Sequence, residues 1–197
     1  SQAELRRVAG ELITRTEAIH VLVNNAGVTM MTRTTTPDGL ETTFAVNHLG
    51  YFLLTGLLLP RLRAAAPGAR IVNVASDAHR WGALDFDDLQ NERAYKAMKV
   101  YGQSKTANIL FTRELARRLE GSGVSANSLH PGAIATRLGR GSGRWYDLLQ
   151  SAISVFMKTP EQGAATSIHL ASAPELEGVN GRYFADKQEK QPKPHAS

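Results

Sequence analysis

The chain has 197 residues, a formal net charge of +5 and no cysteine. Hydrophobic residues make up 42% and charged residues 21%, which is typical of one ordinary globular domain with a buried core. The lack of cysteine excludes disulfides and thiolate metal sites, and no histidine spacing indicates a metal site.

Charge and hydropathy also limit the kinds of partner. The basic residues are scattered along the chain instead of forming one run, which indicates a solvated surface and not a nucleic-acid site. The most apolar stretch, Phe52 to Leu62, is shorter than the roughly 20 residues of a membrane-spanning helix. No signal peptide pattern opens the chain. We therefore expect a cytoplasmic location and no membrane segment in this chain.

Apolar spacing predicts helices that alternate with short buried strands. In chain order these are a helix at 3–15, a strand at 20–24, a helix at 38–62, a strand at 70–75, a helix at 95–120, a strand at 124–129, a helix at 160–171 and a short strand at 181–184. This alternation predicts an α/β fold with a mostly parallel sheet. The segment 187–197 contains two prolines and four charged residues, and is expected to be a flexible C-terminal tail.

The predicted alternation begins with a helix. A dinucleotide-binding fold opens with a strand and a glycine-rich phosphate turn, and no such turn is present. The glycine cluster from Gly139 to Gly143 lacks the required spacing and follows no predicted strand, so it is interpreted as a loop. At about 30 residues per βαβ unit, we expect roughly 70 residues to precede Ser1 in the intact protein.

Tyr101 and Lys105 are four residues apart in a predicted helix, so their side chains share one face. A phenol has a pKa near 10, and a nearby ammonium group lowers it. The pair is therefore a candidate proton donor to a carbonyl or proton acceptor from an alcohol. The same spacing also occurs on solvated helices and decides nothing alone.

Two further polar residues precede this pair. Ser76 ends the second strand, where parallel sheets place their ligand crevices, and its hydroxyl could bind a substrate oxygen. The alternative is a serine that caps the following turn. Asn47 lies within an apolar helix, where its amide requires backbone or water as hydrogen-bond partner.

Two motifs follow other predicted strands. Residues 24–27 (Asn-Asn-Ala-Gly) follow the first strand and allow a ligand to approach closely, although a simple turn is the alternative. Residues 131–136 (Pro-Gly-Ala-Ile-Ala-Thr) follow the third strand and end in a hydroxyl that could anchor an amide.

In this chain order, the motifs resemble those of the short-chain dehydrogenase/reductase family. Residues 46–55 and 101–108 are similar to the retinol-dehydrogenase-like branch, which handles retinoids and other lipophilic aldehydes. The resemblance covers the chain to about Phe184 and departs from the family in the missing phosphate turn. It implies that residues 1–186 are part of a single Rossmann-like, doubly wound parallel-sheet domain whose first strands are absent from this chain. It also implies an NAD(P)-dependent oxidoreductase, with NADP(H) favoured over NAD(H).

The resemblance also implies residue roles. Tyr101 would be the general acid and base, with Lys105 lowering its pKa and holding the nicotinamide ribose. Ser76 would polarise the substrate carbonyl, and Asn47 would hold a water of the proton relay. The cofactor-binding set would be Asn25, Ala26, Gly27, Tyr101, Lys105, Pro131, Gly132, Ile134 and Thr136.

The substrate is expected to be a small carbonyl or alcohol compound. An apolar helical stripe at Leu148, Leu149, Ala152, Ile153 and Phe156 falls where the family has its substrate lid, so it could line a lipophilic pocket or simply pack on the core. Three residues flank the crevice and could touch substrate or bond locally: His79, Trp81 and His130.

Two other function classes share this pattern. Sugar-nucleotide epimerases and dehydratases also have Tyr-x-x-x-Lys, but only 65 residues follow Gly132, too few for their larger substrate domain. A non-catalytic dinucleotide-sensing protein would normally lack one of the catalytic side chains, and all four are present. A homo-oligomer is compatible with the resemblance.

Overall fold

The structure is a computed structural model that describes residues 1–132 and 158–197. Its helices are α1 (Gln2–Arg15), α2 (Thr42–Phe44), α3 (Gly50–Ala64), α4 (Ala97–Arg118) and α5 (Pro160–Ser172). Its strands are β1 (Val21–Asn24), β2 (Ala69–Val74), β3 (Val124–His130), β4 (Tyr183–Ala185) and β5 (Gln188–Lys190). A π-helical segment (Ala45–Leu49) and 3-10 helices at Asp77–Trp81, Pro174–Leu176 and Pro194–Ala196 complete the described elements.

The five strands form one sheet in the order β1-β2-β3-β4-β5. The first four strands are parallel, and β5 is antiparallel to β4. β1 lies at the edge of the sheet, where the side chains of Val21 and Val23 are exposed. The predicted order of helices and strands is confirmed, and most boundaries agree within about two residues.

Helices cover both faces of the sheet, as the alternating side chains of β2 show. Ile71 packs in one cluster with Leu58 and Leu62 of α3. Val72 packs in a second cluster with Leu170 of α5. The fold is therefore doubly wound, as expected.

The helix predicted at 38–62 starts later and is not a continuous α-helix. Gly39 has a φ of 77° and belongs to a turn, so helical geometry begins only at Thr42. The Glu41 carboxylate caps this start, because it accepts hydrogen bonds from the backbone amides of Thr43 (2.8 Å) and Phe44 (2.6 Å). The π-helical segment then follows and carries Asn47.

The C-terminal segment, for which a flexible tail is expected from the sequence, contains a strand and a 3-10 helix. Asp186 and Lys187 both have positive φ values, 51° and 62°, and this geometry is typical of a two-residue hairpin turn. The turn folds β5 back onto β4, and Ala196 in the last 3-10 helix is fully buried.

The segment Thr42–Ala64, taken as one helix of 23 residues with a mean hydropathy of 1.3, has the length and composition to cross a membrane. The apolar run Phe52 to Leu62, on which the expectation of no membrane segment rests, is shorter than this segment. In the fold this segment packs against α1 and the sheet, and it buries the polar side chains of Asn47 and Thr55. In this structure it is a helix of the folded domain.

Candidate active site

The predicted proton-transfer pair does not lie on a solvated helix face, because Lys105 is buried and Tyr101 is half-buried. Lys105 on α4 is 3% exposed, and its Nζ donates a hydrogen bond to the carbonyl oxygen of Val74 at 3.0 Å. The same Nζ lies 5.6 Å from the centre of the Tyr101 ring and 5.8 Å from that of Tyr51. Because Val74 ends β2 two residues before Ser76, the bond places the pair at the carboxyl end of the sheet.

Burial shifts the pKa values of both groups away from their charged forms. It lowers the pKa of Lys105 to about 8 and raises the pKa of Tyr101 above its usual value. The Ser76 side chain acts in the opposite direction on the pKa of Tyr101, but more weakly. The net direction of the Tyr101 pKa is therefore set by burial, and the role of Lys105 in lowering this pKa stays a prediction. A phenol that keeps its proton is suited to donate it to a carbonyl oxygen.

Ser76 begins the 3-10 helix Asp77–Trp81 as its N-cap, and its Oγ accepts a hydrogen bond from the Ala78 amide at 3.2 Å. The turn-capping alternative is thus correct, and it does not exclude the site role. A hydroxyl that accepts one bond still has its proton to donate to a substrate oxygen.

Two glycines let the segment after Ser76 lie directly on α4. A Cβ added to Gly102 would lie 2.5 Å from the Ala78 carbonyl oxygen, and one added to Gly82 would lie 2.0 Å from the Gln103 amide nitrogen. Neither distance is sterically possible. The contact sets the distance between the segment after Ser76 and the helix that carries Tyr101, and no sequence motif pointed to either glycine.

Asn47 is fully buried, and its side-chain amide is hydrogen-bonded to neighbouring segments of the chain. Its Oδ1 accepts from the Val28 amide (2.8 Å), and its Nδ2 donates to the Val28 carbonyl (3.0 Å) and to Ser104 Oγ (3.0 Å). The prediction that this amide binds backbone is confirmed. The side chain joins the π-helical segment to the chain after β1, and its relay role remains a prediction.

The backbone carbonyl of Asn47 is also hydrogen-bonded, by Asn108, which was not among the residues predicted from the sequence. Asn108 Nδ2 donates to Asn47 O at 2.9 Å and lies 3.4 Å from Val74 O, the acceptor of Lys105. Its Oδ1 lies 3.0 Å from Nδ1 of His48. A signal was present in the sequence: Asn108 follows Lys105 by three residues, so it lies on the same helix face.

Of the Asn-Asn-Ala-Gly motif at the end of β1, the last three residues lie at the candidate site and the first lies in the core. Gly27 borders the pair, since a Cβ there would lie 3.4 Å from Asn47 Oδ1 and 3.6 Å from Lys105 Nζ. The Ala26 carbonyl accepts a hydrogen bond from the Tyr51 hydroxyl at 2.8 Å, and Asn25 is exposed beside it. Asn24 instead points into the core.

A buried polar row crosses the sheet beneath the site. Asn24 Nδ2 donates to Asn73 Oδ1 (2.8 Å) and Thr55 Oγ1 (3.0 Å), and Asn73 Nδ2 donates to Thr112 Oγ1 (2.9 Å). Thr112 Oγ1 in turn donates to the Asn108 carbonyl at 2.7 Å. The row therefore links β1 and β2 to the same turn of α4 that carries Asn108.

Pro131 and Gly132 follow β3 at the same end of the sheet. Gly132 has a φ of 86°, which favours glycine, and its amide donates to His130 Nδ1 at 3.2 Å. Ile134, Thr136 and the apolar stripe at 148–156 lie outside the described residues.

The three flanking residues differ in their surroundings. His79 is fully buried and bonded within the protein, so it does not face a substrate. The His130 ring stacks on Tyr183 with 6.0 Å between centres, and the Trp81 side chain is 65% exposed.

Two cavities differ in their relation to the site. One of about 300 Å³ adjoins Asn25, Ala26 and Tyr51 at the carboxyl end of β1. A larger one of about 590 Å³ lies beside Gly68 and Val124, at the opposite end of the strands. Ligands of open α/β sheets bind at the carboxyl ends, and the smaller cavity lies at that end. It adjoins the candidate site at Asn25 and Ala26, and its lining does not include Ser76, Tyr101 or Lys105.

Comparison with known proteins agrees with this geometry. The family model described as short chain dehydrogenase matches residues 1–147. Retinol dehydrogenase 14 of Homo sapiens is 48% identical over 202 residues, covering 100% of this chain and 59% of that protein. Retinol dehydrogenase 11 of Homo sapiens is 50% identical over 184 residues, covering 92% of this chain and 57% of that protein.

A solved structure described as the Pseudomonas aeruginosa RhlG/NADP active-site complex matches with a TM-score of 0.69 and 27% identity, covering 93% of this chain and 71% of that chain. The chain thus spans less than two thirds of the length of the retinol dehydrogenases it matches. The resemblance to the retinol-dehydrogenase-like branch is confirmed. The chain belongs to the short-chain dehydrogenase family.

Proposed function

We propose that the protein transfers a hydride between a nicotinamide cofactor and a carbonyl or alcohol substrate. The observation that carries this proposal is the buried Lys105 ammonium, held by Val74 O and facing the Tyr101 ring. Burying an ammonium group costs free energy, so its position beside a phenol at a strand end is a mark of function.

The chain's own residues would handle the substrate oxygen and its proton. Ser76 would donate a hydrogen bond to the carbonyl oxygen, and Tyr101 would transfer its phenolic proton there during reduction. Lys105 would stabilise the phenolate that results. In the direction of alcohol oxidation the phenolate would take the proton back.

The residues present fit the nicotinamide side of the cofactor. Gly27 leaves open the space beside Asn47 Oδ1 and Lys105 Nζ, and the cavity of about 300 Å³ adjoins it at Ala26. Lys105 and Tyr101 would hold the ribose hydroxyls. When bound, the cofactor supplies or accepts the hydride. NADP(H) is proposed over NAD(H), with support from the family resemblance and from the RhlG relative, whose structure is described as an NADP complex.

A lipophilic aldehyde or ketone is the proposed substrate. Two observations support it: the relatives at 48–50% identity are named retinol dehydrogenases, and the sequence at 148–156 has an apolar stripe. A cytoplasmic location and a homo-oligomer stay predictions, which cell fractionation and light scattering would test.

The test measures oxidation of NADPH and NADH by the full-length protein with matched panels of short polar and long apolar aldehydes. We expect turnover of the apolar panel, and a loss of about 10²–10⁴-fold in kcat for Tyr101→Phe. Full activity of Tyr101→Phe would refute the mechanism, and equal turnover of both panels would refute the lipophilic substrate. Cofactor binding without turnover of any carbonyl would support the sensing alternative instead.

A further inference from the structure

His79 lies three residues after Ser76, and its buried ring has both nitrogens bonded. Nδ1 lies 2.8 Å from the Ser76 carbonyl oxygen, and Nε2 lies 3.2 Å from the Lys193 backbone amide. A carbonyl only accepts and an amide N–H only donates, so Nδ1 must carry the proton and Nε2 must be bare. The structure therefore fixes one neutral tautomer of this ring.

The backbone of His79 is bonded to two other elements. Its carbonyl oxygen accepts from Thr106 Oγ1 at 3.2 Å and from His195 Nε2 at 2.8 Å. Thr106 follows Lys105 on α4, whereas His195 belongs to the C-terminal 3-10 helix. His79 thus joins Ser76, the helix of the catalytic lysine and the end of the chain.

The C-terminal 3-10 helix, Pro194–Ala196, packs behind the same segment. Ala196 is fully buried in one cluster with Ala75, Ile109 and Tyr183. Ala75 immediately precedes Ser76, and Ile109 lies one turn after Lys105 on α4. The last residues of the chain therefore support the backbone on which the serine is mounted.

We propose that His79 is a positioning residue for Ser76, held in its tautomer by the C-terminal segment. The Nδ1 proton holds the Ser76 carbonyl together with the His79 backbone amide, which donates to the same oxygen at 3.1 Å, and these two bonds set the direction of the Ser76 hydroxyl towards the substrate oxygen. The inference rests on the proposed hydride-transfer function, and it adds residues 193–196 to the machinery of the site. A displacement of about 1 Å at a reacting group can lower the rate by about 100-fold, so this support is expected to affect kcat.

Two amide variants separate the two ring contacts. In His79→Asn the side-chain nitrogen can reach the position of Nδ1 and keep the bond to Ser76, while the acceptor for Lys193 is lost. In His79→Gln the side-chain oxygen can reach the position of Nε2 and keep the bond to Lys193, while the side-chain donor to Ser76 is lost and only the backbone donor remains. His20→Asn, at an exposed histidine before β1, is the matched control.

The kinetic test uses the full-length protein with NADPH and the best aldehyde of the panel. We expect His79→Gln to lower kcat by about 10- to 100-fold with KM nearly unchanged, and His79→Asn to restore most of kcat. His20→Asn should equal the wild type. Unchanged kcat in His79→Gln, or a loss as large in His79→Asn, would overturn the inference.

A second measurement does not depend on activity. Nitrogen NMR of the histidine rings should show the proton of His79 on Nδ1, and amide hydrogen exchange at Lys193 should be faster in His79→Asn than in His79→Gln. A proton on Nε2, or equal exchange in both variants, would overturn the assigned contacts. A wild-type protein that turns over no carbonyl would refute the proposed function, and these two readouts would still decide the contacts.

Discussion

The ammonium group of Lys105 is hydrogen-bonded at 3.0 Å to the backbone carbonyl of Val74, the last residue of β2. This bond ties the helix of the proton-transfer pair to the strand that leads into Ser76. Asn108, one turn further along the helix, approaches the same carbonyl at 3.4 Å. The spacing between helix and strand end therefore depends on two polar side chains that meet at one acceptor.

Removing the charge of Lys105 should abolish activity and stabilise the fold. The fall of its pKa to about 8 corresponds to about 3 kcal/mol of unfavourable burial at neutral pH. For Lys105→Met we expect loss of turnover and a rise of about 1–3 kcal/mol in the free energy of unfolding, measured by urea titration at pH 7.

The gain in unfolding free energy expected for Lys105→Met should decrease as the pH rises. Lys105 deprotonates in the folded state near pH 8 and in the unfolded state near its usual 10.5, so wild-type stability rises with pH across this interval. The advantage of Lys105→Met should shrink accordingly. Lys99→Met, at an exposed lysine on the same helix, should change stability by less than about 0.5 kcal/mol. A destabilised Lys105→Met would contradict the prediction.

Asn108→Ala should lower activity beyond its effect on stability. The variant leaves the Asn47 carbonyl without its 2.9 Å donor, and we expect a loss of about 1–3 kcal/mol in the free energy of unfolding together with a lower kcat. Asn73→Ala is the matched control, because Asn73 is equally buried and makes two bonds in the same polar row without touching Asn47 or Lys105. It should lose similar stability and keep kcat; equal kcat losses in both variants would remove the special role of Asn108.

Gly102→Ala should separate Ser76 from Tyr101. The added Cβ would lie 2.5 Å from the Ala78 carbonyl oxygen, so the 3-10 helix must move away from α4. We expect a loss of roughly 2 kcal/mol or more in unfolding free energy and nearly complete loss of turnover. Gly56→Ala in α3 meets no atom within 4 Å and should instead stabilise by about 0.5–1 kcal/mol. An active Gly102→Ala protein would show that the close contact is dispensable.

Acid should destabilise the protein through His79. Burial lowers the pKa of His79 below 6.5. The hydrogen bond to the Ser76 backbone and the charge of Asp77 oppose this shift, and Arg80 and His195 reinforce it. The ring of Tyr183 packs against His79 in a T-shaped arrangement. Because the folded pKa is the lower one, the contribution of the neutral ring is complete above pH 6.5 and is lost as the pH falls below it. Unfolding free energies at pH 7.5 and 5.0 should therefore differ less in His79→Gln than in the wild type. Equal differences in both proteins would exclude His79 as the titrating group.

The strand and helix order could be predicted because it depends on local periodicity. Apolar runs such as 20–24 and 70–75 mark buried strands without any knowledge of their neighbours. The candidate catalytic residues could be predicted from ordered motifs, and the structure adds that Lys105 is buried, which its spacing from Tyr101 did not show.

The rest depends on contacts between distant parts of the chain. The bond from Lys193 to His79 joins residues 114 positions apart, and the Gly82–Gly102 contact depends on how a loop crosses a helix. The hairpin after β4 was missed because its turn residues, Asp186 and Lys187, lack the glycine that usually marks such turns. The π-helical segment at Asn47 leaves the apolar spacing of the helix nearly intact, so periodicity does not reveal it.

The outer side of β1 affects the solubility of this chain. Within residues 1–132 and 158–197, no strand pairs with its outer side, and Val21 and Val23 are exposed there. Such an edge offers a row of backbone donors and acceptors to any other extended segment. At high concentration the chain alone should pair edge to edge and precipitate, and a lysine in place of Val21 or Val23 should keep it in solution.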